Sequence, residues 1–143
     1  MFKKVLVPVD LTEPEFIRQA LQLALREVRE NDAELHLITV VPGFSNSFVA
    51  SFFSESEHQK AVNEVAHKFK KFALSELPDD AKPVLKVYED SPAELIVEYV
   101  RKKEIDLVLM SAHHRSRVDE FLLGSVSARV VERVTCSVML LKC

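Results

Sequence analysis

The sequence predicts a single α/β domain in which a parallel sheet carries helices on both faces. Three observations carry that prediction. Short apolar runs rich in β-branched residues alternate with longer segments of helical periodicity along the chain, and such alternation builds parallel strands joined by crossover helices. The 143 residues make one domain with a real core, with no repeat, linker or low-complexity segment dividing them. The two glycines, Gly43 and Gly124, fall at element boundaries, one closing a strand and the other opening a helix.

Each element has a local reason. Residues 3–9 form a short apolar run and the first strand. Pro8 lacks an N–H and belongs at the strand's end, where the chain leaves the sheet. Asp10-Leu11-Thr12 is a tight turn. Thr12 is suited to N-cap a helix whose first turn holds Glu13, Pro14 and Glu15. That helix runs to about Glu30, with Ile17, Ala20, Leu21, Ala24, Leu25 and Val28 as its apolar stripe. Asn31-Asp32 stops it. Residues 34–41 are a second, buried strand, ended by Pro42-Gly43. Residues 44–53 have no clean period and read as a loop. Their four phenylalanines, Phe44, Phe48, Phe52 and Phe53, would pack on a partner or over a ligand.

A long helix follows over 55–77, with Val62, Val65, Ala66, Phe69, Phe72 and Ala73 inward. The third strand is 84–89. Ser91 is the expected N-cap of the next helix, with Pro92 at its first position and Leu95, Ile96, Tyr99 and Val100 as its apolar face. The fourth strand is 105–110. A helix opening at Gly124-Ser125 carries Val126, Val130, Val131 and Val134, and 137–141 is the last strand.

Composition narrows the function. The chain is 48% hydrophobic and 29% charged with net charge −3, and lacks the basic concentration that nucleic-acid binding requires. No apolar run approaches the roughly 18 residues of a membrane span. The start lacks a signal-peptide core and cleavage site, so a cytoplasmic protein is expected. Cys136 and Cys143, if the chain between them is extended, lie about 23 Å apart and cannot bridge. Cys136 is expected in the core or an interface and Cys143 as an exposed terminal thiol. With no base beside either, neither reads as a nucleophile.

Chemistry concentrates in 106–133. An apolar strand ends in a polar, basic loop over 111–117, and a helix opens at Leu122-Leu123-Gly124-Ser125. Strand, loop and helix N-terminus together present free backbone N–H groups and a positive dipole end, which suits phosphate. Gly124 permits close backbone approach and Ser125 adds a hydroxyl. Arg115 is placed for a bidentate phosphate contact, and His113 or His114 for a pH-dependent one. The same residues also suit a plain solvated loop. Adjacent histidines seldom converge on a metal, and no carboxylate or cysteine nearby has ligand spacing, so no metal site is expected. Ligands of such sheets bind beyond the carboxyl ends of the strands, which brings Asp10 near this stretch.

Five pieces in order carry a resemblance: Lys3-Lys4-Val5-Leu6-Val7-Pro8-Val9-Asp10, Asp90-Ser91-Pro92-Ala93, Ile105-Asp106-Leu107-Val108-Leu109-Met110, Leu122-Leu123-Gly124-Ser125-Val126, and Cys136-Ser137-Val138-Met139-Leu140-Leu141. The chain resembles the universal stress protein family over essentially its full length. Nucleotide-binding members carry Gly-x-x-Gly, nine residues, then Gly and Ser or Thr. Here Ser111 and His114 stand at the first two glycine positions, and nine residues separate His114 from Gly124. The resemblance implies adenine and ribose contacts from Pro8, Asp10 and Val40. It implies phosphate contacts from Met110, Ser111, His114, Gly124, Ser125 and Val126, largely through backbone.

The resulting expectation is a Rossmann-like five-stranded parallel sheet in the order 3-2-1-4-5. The expected function is binding of ATP or AMP by a dimeric stress-response regulator, with Mg²⁺ undecided. The apolar last strand, 137–141, would leave a bare sheet edge, and pairing it with its copy across a two-fold would remove that edge. The resemblance implies the same antiparallel homodimer. The alternative is a family member that binds no nucleotide and acts as a dimerising interaction module. No Walker lysine motif or clear carboxylate pair for Mg²⁺ is present, so at most slow ATP hydrolysis is expected.

Overall fold

Five strands pair side by side in the order β3-β2-β1-β4-β5, all parallel. In this computed structural model the described residues are 2–11, 15, 17–41, 55–89, 91–112 and 125–142. Along them run β1 (Lys4–Pro8), α1 (Arg18–Asn31), β2 (Glu34–Val40), α2 (Glu55–Glu76), β3 (Val84–Tyr88), α3 (Pro92–Lys103), β4 (Leu107–Ala112), α4 (Ser125–Arg133) and β5 (Ser137–Lys142). The sheet order and the α/β class agree with the sequence reading.

The period of two in the strands splits the core in two. Val5, Val7, Leu35, Leu37, Leu107 and Leu109 point to the face covered by α1 and α2, where they meet Ala20, Leu21, Ala24, Phe69 and Ala73. Leu6, Ile38, Val108 and Met110 point to the opposite face and meet Ile96, Tyr99 and Val100 of α3 and Val130 of α4. The three central strands are therefore buried on both faces, which explains their unbroken apolar runs. Each fully buried aliphatic side chain contributes about 1.5–3 kcal/mol. The edge strands β3 and β5 are less covered and interrupt their runs with exposed Lys86, Ser137 and Lys142.

The helix stops follow the sequence. Asp32 takes the left-handed conformation (φ 54°, ψ 37°) at the end of α1 and donates its N–H to the Glu27 carbonyl. Ser91 has extended N-cap backbone before α3, as expected. Its hydroxyl, however, serves the Glu94 carboxylate rather than a helix N–H. The predicted start of α1 at Thr12, Glu13 and Pro14, the loop 44–53 and Cys143 lie outside the described residues.

Two expectations are corrected. The fourth strand begins and ends two residues later than the apolar run suggests, at Leu107–Ala112. Glu104 in the left-handed conformation ends α3, and Ile105 donates back to the Val100 carbonyl, so Ile105 belongs to the turn. Asp106 is taken by β1: its carboxylate accepts the Lys3 N–H at 2.8 Å and the Lys4 N–H at 3.0 Å. At the other end, Ser111 and Ala112 pair with Leu141 and Lys142 of β5, so Ser111 is a strand residue and not the start of a loop. The second correction is Val131, read among the apolar residues of the α4 pattern but 42% exposed, while Ser127 takes a buried position on that helix.

Candidate functional site

Among the described strands the β1–β4 pairing is the shortest. β1 and β2 are in register from Lys4↔Glu34 to Pro8↔Ile38, and β4 and β5 from Leu107↔Ser137 to Ala112↔Lys142. Between β1 and β4 the register pairs are Val5↔Leu107 and Leu6↔Val108 alone. Past Leu6 no further register pair joins the two strands, although each stays paired with its outer neighbour.

Proline explains where the pairing ends. Val9 donates its N–H to Ile38, so the odd amides of β1 face β2. Asp106 donates to the Lys4 carbonyl, so the even positions face β4. The next even amide after Leu6 would be that of Pro8, which has none. The ladder lacks its next donor and the pairing stops there. This is also the switch point of the strand order, since β1 leads to α1 on one face and β4 leads to α4 on the other.

The residues around this point are largely those named from sequence. Pro8 is half-buried at the end of β1, Val9 is buried, and Asp10 is exposed just beyond it. Carried two residues along the β1–β2 register, Asp10 stands level with Val40, which is half-buried and paired with Tyr88. Val41 keeps β2 attached to β3 by donating to the Tyr88 carbonyl at 2.7 Å. On β4, Met110 is buried against Leu140 and Ser111 is half-buried. Because β4 and β5 are parallel, α4 must run back against them. Its N-terminal residue, exposed Ser125, is therefore at the carboxyl end of the sheet, followed by half-buried Val126. His113, His114, Arg115 and Gly124 lie outside the described residues.

Two links fix the surroundings. The Thr39 hydroxyl, buried in β2, donates to the Val9 carbonyl at 2.8 Å. On the other face Glu94 of α3 accepts from Arg129 of α4 at 3.1 Å, with Arg133 at 3.8 Å. The Ser91 hydroxyl, with the two arginines behind it, holds the Glu94 carboxyl below the usual carboxylate range. Thr39 did not stand out in the sequence, where its signal is a single hydroxyl inside the apolar run of β2. Cys136 is half-buried and burial pushes its thiol above the ordinary range, against a thiolate role. Among the described residues no group of three or more His, Cys, Asp or Glu converges to hold a metal. Nor, among them, is any helix long and apolar enough to cross a membrane.

Residues 1–142 match the model of the universal stress protein family. The chain belongs to that family. Among characterised universal stress proteins it is 27% identical to MJ0531 of Methanocaldococcus jannaschii, over 99% of this chain and 83% of the relative. Among solved structures it is similar to MJ0577 of the same organism, with TM-score 0.73 and 24% identity over 100% of this chain and 97% of that one. A universal stress protein solved in complex with cAMP matches with TM-score 0.63 and 17% identity, over 98% of this chain and 96% of the other. These structural likenesses establish the universal stress protein fold.

Proposed function

We propose that this universal stress protein binds an adenine nucleotide, ATP or AMP, in the cleft between β1 and β4. It would act in the cytoplasm as a dimeric regulator of a stress response. The observation that carries the reading is the end of the β1–β4 pairing before Pro8, at the switch point of the strand order, with Asp10 just beyond β1 and Ser111 near the end of β4. A carboxylate at a strand end suits ribose hydroxyls, and the opening of α4 at Ser125 suits phosphate. A related protein solved with cAMP supports a nucleotide as the class of ligand. Adenine would lie against Pro8 and Val40. Phosphates would lie toward Met110, Ser111, Ser125 and Val126, with His113, His114, Arg115 and Gly124 of the preceding loop around them.

The dimer rests on β5. It is the end strand of the sheet, pairing with β4 alone among the described strands, and Met139 is 43% exposed on the face that α1 and α2 cover elsewhere. Antiparallel pairing of this edge with a second copy would remove both liabilities.

The test is calorimetric titration of the purified protein with ATP and AMP, with and without Mg²⁺, after mass spectrometry for nucleotide carried through purification. Dissociation constants on the order of micromolar support the reading. If neither nucleotide binds and none is carried, the second reading takes its place: a dimerising interaction module without a nucleotide. Ser111 and His114, where nucleotide-binding relatives have glycine, favour that reading.

A further inference from the structure

The carbonyl that Thr39 holds belongs to the residue before Asp10. Thr39 is 4% exposed and its side chain rises from β2 on the α1 face of the sheet. A carbonyl engaged in the ladder lies in the plane of the sheet. Val9 is the first residue of its strand beyond the last register pair, Pro8↔Ile38, and its N–H still enters the ladder at Ile38. Its carbonyl is met instead by a side-chain hydroxyl from the neighbouring strand at 2.8 Å. Val9 is thereby clamped to β2 from both of its backbone groups.

We propose that Thr39 is a positioning residue of the cleft, whose buried hydroxyl sets the Val9–Asp10 peptide and through it the aim of the Asp10 carboxylate at a ribose diol. The inference rests on the nucleotide reading above. Its physical basis is the rigidity of the peptide unit. The Val9 carbonyl, the Asp10 N–H and the Asp10 Cα share one plane, so fixing the oxygen fixes the direction in which residue 10 leaves the sheet. Asp10 itself is exposed and has left the regular strand. A carboxylate must be held within a fraction of an ångström to accept from two adjacent hydroxyls, and a buried bond one residue upstream provides that restraint. Valine would fill the same space, so packing alone does not require the hydroxyl.

The experiment compares ATP with 2′,3′-dideoxy-ATP, which lacks both ribose hydroxyls, on the full chain and its Thr39→Val and Thr39→Ser variants by calorimetry. Wild type should prefer ATP. In Thr39→Val, ATP should bind about tenfold more weakly while dideoxy-ATP changes by less than about twofold. Thr39→Ser should keep the wild-type ratio, and Thr39→Val should add nothing in an Asp10→Ala background. If Thr39→Val does not fold, Thr39→Ser against Thr39→Ala makes the same comparison one methyl smaller. Equal weakening of both nucleotides would reduce Thr39 to a structural role and overturn the proposal, as would unchanged ATP binding. A wild type that binds both nucleotides equally would overturn it while leaving the nucleotide reading standing. A wild type that binds neither would end the nucleotide reading itself.

Discussion

His36 and Tyr99 are joined across the sheet–helix interface by a bond of 2.6 Å between the imidazole Nδ1 and the phenol hydroxyl. Both side chains are buried. Tyr88 stands edge-on against Tyr99 with ring centroids 6.1 Å apart. The other imidazole nitrogen lies 2.8 Å from a Glu34 oxygen, although it has no hydrogen bond of good geometry. The carboxylate nonetheless favours the tautomer with its proton on Nε2, leaving Nδ1 to accept from Tyr99.

Burial lowers the His36 pKa below 6.5, and Lys4 and Lys103 add to the effect, while Glu34 opposes it. Above 6.5 both folded and unfolded states hold the ring neutral, and the contribution to stability is complete. As pH falls below 6.5 the unfolded chain takes the proton first, so stability declines until the lower folded value is passed. Tyr99 acts at the other end. Burial pushes its pKa up to about 12 from 10, so its contribution is full below 10 and is lost as pH rises toward about 12. Urea unfolding between pH 5 and 8 should show the acid slope, and His36→Leu should flatten it. Tyr99→Phe should cost about 1–2 kcal/mol at pH 7.

Restoring an amide at the end of β1 should close the cleft. In Pro8→Val the new N–H at position 8 can reach the ladder to β4. The expected results are a gain of about 1 kcal/mol in stability and weaker nucleotide binding. Hydrogen exchange at that amide reports the mechanism directly. Fast exchange there, as in an unpaired group, would refute the account of why the pairing ends.

Charge at the edge of β5 should split the proposed dimer. Met139→Lys places an ammonium on the face where Met139 is 43% exposed. Light scattering should give the dimer mass for wild type and the monomer mass for the variant, with fold retained by circular dichroism. A variant of unchanged mass would move the association surface elsewhere.

Gly124→Val addresses the phosphate end of the site. A β-branched side chain at this position blocks close approach of a phosphate to the backbone at the opening of α4. Nucleotide binding should be lost and the dimer left intact. Wild-type affinity in this variant would remove Gly124 from the site.

The fold was legible because each rule acted on neighbouring residues. Asp32 stops α1 by its own backbone, and Pro8 ends β1 by its missing donor. Unbroken apolar runs identify the central strands. What escaped the sequence depends on residues far apart in the chain. Ser111 reads as loop because it is polar, yet β5 extends far enough to pair it. Asp106 reads as the opening of a strand, yet it serves two amides more than 100 residues away. His36 and Thr39 look like interruptions of an apolar run until Tyr99 and the Val9 carbonyl are placed beside them. The candidate cleft was legible at Pro8, Asp10, Val40 and Ser111, but the clamp behind Asp10 was not.

β1 and β4 are thus fastened at the foot, where Asp106 grips Lys3 and Lys4, and left unlaced above Leu6. Beyond that point β1 has no donor to offer β4, because position 8 is proline. A molecule settling at the top of the seam would therefore displace no backbone bond donated from Pro8. Its arrival would leave the bonds of β1 to β2 and of β4 to β5 as they are, and the floor of the sheet would not register the event.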